Sequence, residues 1–89
     1  MKAVITVTGK DSVGIIAKVA SACAAYDANI LDISQTIVQG YFTMMMIVDT
    51  TNLAKPFAEM ASDLESEGDA LGVQIKCQRE EIFEKMHRI

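Results

Sequence analysis

A chain of 89 residues has room for one hydrophobic core, which disfavours an enzyme built around a deep interdomain cleft. Half of it is hydrophobic (51%) and only 22% is charged, the balance of a packed globule rather than a disordered segment. A formal net charge of −4 leaves no basic stripe to displace counterions from phosphates, and the longest mostly apolar stretch, residues 37–48, falls short of the ~20 residues a membrane span needs, so neither nucleic acid nor a membrane is an expected partner.

The chain enters strand character at its first residues, without the apolar core and cleavage site of a secretory signal, so a cytoplasmic protein is expected. Residues 2–8 alternate Ala3, Ile5 and Val7 on one face with Val4, Thr6 and Thr8 on the other. From Ser12 the period changes to that of a helix. Ile16, Val19, Ala20, Cys23 and Tyr26 form the apolar stripe, Asp11 or Ser12 is available as N-cap, and the end is expected near residues 27–29. Residues 30–38 alternate again, with Leu31, Ile33 and Ile37 expected on a packed face and Asp32, Ser34 and Thr36 on the other. A tight Gln39-Gly40 connection joins them as a hairpin to residues 41–48, where Phe42, Met44, Met46 and Val48 share one face.

Thr50, Thr51 and Asn52 offer caps for a second helix striped by Phe57, Met60, Ala61 and Leu64, with Pro56 in its first turn and Gly68 to Gly72 ending it. Residues 73–78 read as the last strand and residues 79–89 as a short terminal helix with Ile82, Phe83, Met86 and Ile89 as its apolar side. The order β-α-β-β-α-β predicts an α+β, ferredoxin-like sandwich: a single domain over residues 1–89, with a four-stranded antiparallel sheet in chain order 4-1-3-2 and two helices on one face. The other face then shows Val4, Thr6, Ser34, Thr36, Tyr41, Thr43, Met45, Ile47, Gln74 and Lys76, more aliphatic surface than a monomer usually exposes.

The turn over residues 8–15 carries two glycines, a carboxylate and a hydroxyl where a strand gives way to a helix, and free N–H groups at such a start suit a small anion. The runs Gly9-Lys10-Asp11-Ser12-Val13-Gly14-Ile15-Ile16-Ala17, Asn29-Ile30-Leu31-Asp32-Ile33-Ser34-Gln35 and Gly40-Tyr41-Phe42-Thr43-Met44 resemble ACT domains, small amino-acid-sensing modules. Among these the chain is most similar to stand-alone prokaryotic members, glycine-cleavage-system regulators and the N-terminal domain of formyltetrahydrofolate deformylases. The resemblance implies a small amino acid bound between the first turn of one subunit and a neighbouring subunit of a homodimer or higher oligomer. It carries the turn glycine onto Gly14, the polar turn position onto Asp11 and the polar residue closing the first helix onto Asn29. The implied ligand-binding set is Asp11, Ser12, Val13, Gly14, Ile15, Asn29 and Ile30. Backbone N–H groups of Val13, Gly14 and Ile15 would receive a carboxylate, and Asp11 and Asn29 offer acceptors to an ammonium group.

Each of those residues also has a plainer role open to it: Asp11 as helix cap, Gly14 as a point of close helix–strand packing, Asn29 as a left-handed C-cap. Cys23 and Cys77 lack metal-ligand or redox spacing and read as buried free thiols, while Met44 and Met46 read as core rather than as soft-metal ligands. His87 has no carboxylate beside it to orient it. No catalytic triad, P-loop or nucleotide fingerprint occurs, so the expectation is a non-catalytic regulatory module without a cofactor, with a regulated protein as a further partner. Two other readings stand beside it: an ACT-like interaction module that binds no small molecule and docks through residues 82–89, and an enzyme fragment related to the deformylase.

Overall fold

A computed structural model describes residues 1–10 and 14–86. The elements follow as β1 (Lys2–Lys10), α1 (Ile15–Ala25), β2 (Asn29–Val38), β3 (Tyr41–Asp49), α2 (Phe57–Leu71), β4 (Gln74–Arg79) and α3 (Glu80–Met86). All three strand pairings are antiparallel and the order across the sheet is β2-β3-β1-β4, the arrangement expected of the ferredoxin-like sandwich.

One face of the sheet makes the core. Ala3, Ile5 and Val7 of β1, Phe42, Met44, Met46 and Val48 of β3, and Ile75 and Cys77 of β4 meet Ile15, Val19 and Cys23 of α1 and Met60 and Leu64 of α2. The period-2 pattern of β1 and β3 puts these side chains on a common face, and both helices cover it. Met44 and Met46 are core, as read from the sequence, and both cysteines are buried and unpaired.

The helix boundaries differ from expectation for identifiable reasons. The N-cap of α1 is Gly14, in left-handed geometry (φ 87°), and Lys18 N–H donates to its carbonyl at 3.0 Å. The helix therefore starts later than Ser12 and faces the core with Ile15, leaving Ile16 partly exposed. Asp11 and Ser12, the expected caps, lie outside the described residues. At the other end the left-handed residue is Asp27 (φ 58°), not Asn29, and Ala28 N–H returns to the Cys23 carbonyl at 2.9 Å.

Pro56 occupies the N-cap position of α2 rather than its first turn, and the helix continues through Gly68 to a left-handed Gly72. Gly68 is a packing residue: a Cβ there would lie 2.8 Å from Ile75 Cγ1 and 2.9 Å from the Val73 carbonyl oxygen. Tyr26, where α1 ends, donates its hydroxyl hydrogen bond to Asp63 of α2, and the Lys55 ammonium stands 5.9 Å from the Tyr26 ring centroid. This clasp fixes the two helices to each other as well as to the sheet.

The β2–β3 connection is a two-residue turn in which Gln39 (φ 54°) and Gly40 (φ 80°) both take positive φ, the geometry whose twist suits a hairpin. In β2 itself the expected packed face is absent. A bulge between Ile30 and Asp32 removes Leu31 from the alternation, so Ile33 and Ile37 pair with Met46 and Phe42 on the helix side of the sheet while Leu31 does not join them. Yet Ile33 and Ile37 are 40% and 61% exposed, because β2 is an edge strand lying beyond the cover of the helices.

The opposite sheet face is also partly covered. Val4 points there but is only 2% exposed, since α3 folds back to contact β1 and β4 and places Phe83 against this face. Ile82 on the same helix is exposed. The expected roles of Ile89 and His87 concern residues outside those described.

Candidate functional site

β1 ends where Lys10 pairs with Tyr41, beside the β2–β3 hairpin turn. Of the expected site residues, Asp11, Ser12 and Val13 lie outside the described residues, and the structure places Gly14 and Ile15. A Cβ on Gly14 would meet nothing within 4 Å, so close helix–strand packing does not explain this glycine. Its φ of 87° does. Ile15 turns its side chain into the core and can offer a ligand only its backbone N–H.

Gly14 also lines a recess of about 500 Å³ between the helices, together with Ala17, Lys18, Ser21, Ala22 and Glu67. Lys18 and Glu67 set one charge of each sign in it, and among the described residues neither has an ion-pair partner. The sequence alone sets Lys18 outside the apolar stripe of the first helix and Glu67 on the solvated face of the second. Their meeting depends on the α1–α2 packing, which no local signal encodes.

Asn29 and Ile30 are elsewhere. Asn29 opens β2 and pairs with Asp49, at the end of the sheet where β1 begins. It lines a separate recess with Ala24, Asp27, Ala28 and Asn52. Ile30 is half-buried against the core. The 11 residues of α1, about 17 Å at helical rise, run between the Gly14 end and the Asn29 end. A single chain therefore divides the expected site between opposite ends of the sheet.

The remaining reactive side chains are quiet. Burial raises the Cys23 thiol pKa and pushes that of Cys77 up to about 12, so both hold their protons at neutral pH and neither is poised as a nucleophile. Among the described residues no cluster of His, Cys, Asp and Glu is arranged to hold a metal ion, and no helix is long and apolar enough to cross a membrane.

Comparison with known proteins places this geometry. The chain is 60% identical to a UPF0237 protein of Bifidobacterium longum over 88 residues, covering 99% of this chain and 98% of the other. An ACT domain protein from Streptococcus pneumoniae superposes with a TM-score of 0.81 at 44% identity, over 94% of each chain. The fold is shared with a chain proposed to be a glycine cleavage system transcriptional repressor (TM-score 0.73, 22% identity, 88% of this chain and 44% of that one). It is shared too with a formyltetrahydrofolate deformylase from Pseudomonas putida (TM-score 0.76, 11% identity), where it accounts for 28% of the longer chain against 88% of this one. Residues 2–78 match the family model of the ACT domain, and the chain belongs to that family.

Proposed function

We propose that this protein is a non-catalytic regulatory module that works as a homodimer and holds a small amino acid at the β1–α1 turn of one protomer, closed by the β2 edge of the other. The observation that carries this reading is β2: ten residues long, with Asp32 its only charge, exposing Leu31, Ile33, Ile37 and Val38, and hydrogen-bonded along one side alone. Soluble proteins normally blunt such an edge with lysines, prolines or a covering element, because its free N–H and C=O groups template further pairing. A second copy satisfies it with an isologous contact.

Antiparallel pairing of β2 with its twofold mate also repairs the divided site. It runs the start of one β2 alongside the end of the other, so that the partner's Asn29 approaches the hairpin end beside Gly14. The N–H groups at the start of α1 then receive the ligand carboxylate, and the ammonium group has acceptors in the partner's Asn29 and in Glu67. Occupancy changes the dimer, and the dimer signals to a metabolic enzyme or a transcriptional system.

Calorimetric titration with glycine, serine and the other amino acids is expected to give saturable heat for a small member of the panel. Ile37→Lys is expected to abolish both that heat and the dimer mass in light scattering. A flat response from a dimeric wild type removes the sensing role and leaves the second reading, an interaction module without a ligand, which the exposed Ile82 on α3 favours. A monomeric wild type overturns the shared site.

A further inference from the structure

The strand register lays out a lattice of side chains on the sheet face away from α1 and α2. Reading across β4, β1 and β3, one row is Gln74, Thr8, Thr43; the next is Lys76, Thr6, Met45; the third is Gln78, Val4, Ile47. Neighbouring strands are about 4.8 Å apart, so each row spans roughly 10 Å, the length of a small metabolite. The third row lies against α3, which buries Val4. The first two rows remain open, and Phe83 of α3 stands at their margin. Thr6, Thr8, Thr43, Gln74, Lys76, Gln78 and Phe83 together line a recess of about 330 Å³.

The chemistry of this recess is one-sided. Among the described residues, the three threonine hydroxyls, the Gln74 amide and the Lys76 ammonium have no partner within the chain. All five can donate hydrogen bonds, and the lining contains no carboxylate although the protein as a whole is acidic. A floor of donors with one cation and an aromatic wall complements a small anion that also carries hydroxyl groups. The wall comes from residues beyond 2–78, so the recess is formed by something added to the matched domain, on the opposite face of the sheet from the helices that flank Gly14.

We propose that the recess walled by Phe83 and floored by Thr6, Thr8, Thr43, Gln74 and Lys76 is a second binding site, for a small hydroxylated carboxylate or phosphate ester. Lys76 takes the anionic group, the threonines and Gln74 take the hydroxyls, and the Phe83 ring covers the carbon skeleton. Because α3 supplies the wall, ligand binding holds α3 down on the sheet.

Amide shift mapping by NMR on the full chain tests this with three probes: glycerate, glycerol 3-phosphate and uncharged glycerol, each taken to ~10 mM, above a roughly millimolar Kd. At least one anion is expected to shift the amides of Thr6, Thr8, Thr43, Gln74 and Lys76 saturably, and glycerol to do so far more weakly. The difference between glycerate and glycerol 3-phosphate assigns the anionic group. Lys76→Gln, at an exposed position, should leave the spectrum dispersed and weaken binding about tenfold, the loss of one charge-assisted hydrogen bond. Phe83→Ala should weaken it too and release the signals of α3. Shifts confined to the Gly14 region, linear shifts without saturation, an equal response to glycerol, or unchanged affinity in Lys76→Gln would each overturn the proposal, and none depends on whether an amino acid binds at the turn.

Discussion

The two edge strands of this sheet are opposites. β4 is six residues long and well covered on its helix face: α2 packs over Ile75 and Cys77, while on the other face α3 reaches only its far end and leaves Gln74 and Lys76 open. β2 is ten residues long and almost wholly exposed, although its composition is the more apolar of the two. The difference shows that burial within one chain is decided by which strands the helices can reach. Two helices of this length, clasped to each other by Tyr26 and Asp63, cover the β1, β3 and β4 side and leave β2 bare. The covered edge is where the monomer's stability resides, and the bare edge is where its assembly is expected.

The sharpest way to break this comparison is to delete equal amounts of side chain on each side. Leu64→Ala empties a fully buried site under α2 and is expected to cost about 2–5 kcal/mol of unfolding free energy, by transfer plus cavity. Ile37→Ala removes a comparable group from β2 and should cost the isolated monomer less than about 0.5 kcal/mol, since a side chain 61% exposed already meets water. Urea unfolding at low and high protein concentration separates the cases. The Leu64 variant loses stability at both, the Ile37 variant only where the wild type is dimeric. Equal losses at low concentration would mean that β2 is covered within the monomer.

Adding atoms sharpens the same contrast. Gly68→Ala drives a methyl group to within 3 Å of the Val73 backbone oxygen, just before β4, and of an Ile75 carbon, and overpacking there should cost about 1–3 kcal/mol despite the gain in helix propensity. Ala at Gly14 meets no neighbour, so its cost is the left-handed backbone alone, roughly 1–2 kcal/mol. Thermal unfolding of the two variants checks the ranking. A crystal structure of the Gly68 variant should show α2 lifted from β4.

How far such effects were legible from the sequence depends on how local their cause is. Alternation in β1 and β3 identified Ile5, Val7, Met44 and Met46 as core because period 2 needs only neighbouring residues to be read. The same signal failed for β2. Alternation tells which residues share a face, not whether a helix lies above it, and the Leu31 bulge shifts the pattern itself. Gly68 looked like a helix stop because its reason, the approach of β4, is distant in sequence. The sequence does not single out Ile15 over Ile16 as the inward residue, since the helix start is set by the left-handed Gly14 and a glycine does not announce its φ. At the candidate site Gly14 was legible as a turn residue. The meeting of Lys18 with Glu67, and the division of Asn29 from Gly14 across the sheet, follow only from helix packing and strand order.

The smallest expected effect lies where the bare edge begins. Asp49 ends β3, pairs with both Lys2 and Asn29, and accepts hydrogen bonds from Thr51 Oγ1 at 2.6 Å and Thr51 N–H at 2.9 Å. The Thr51 hydroxyl first, and its amide second, lower the carboxyl pKa below its ordinary value. A depressed folded-state pKa stabilises the fold above the unfolded carboxylate value of about 3.9, and the contribution is lost as pH falls through the lower folded value. Because the carboxylate is open to solvent, water screens it and the effect stays small. Asp49→Ala is therefore expected to lower Tm slightly at pH 7, with the gap from wild type closing below about pH 4 as the wild-type carboxylate protonates. A gap that stays constant to pH 2 would show that the Thr51 contacts depend on the shape of the side chain rather than on its charge. The start of β2 would then be held by packing at its one paired neighbour.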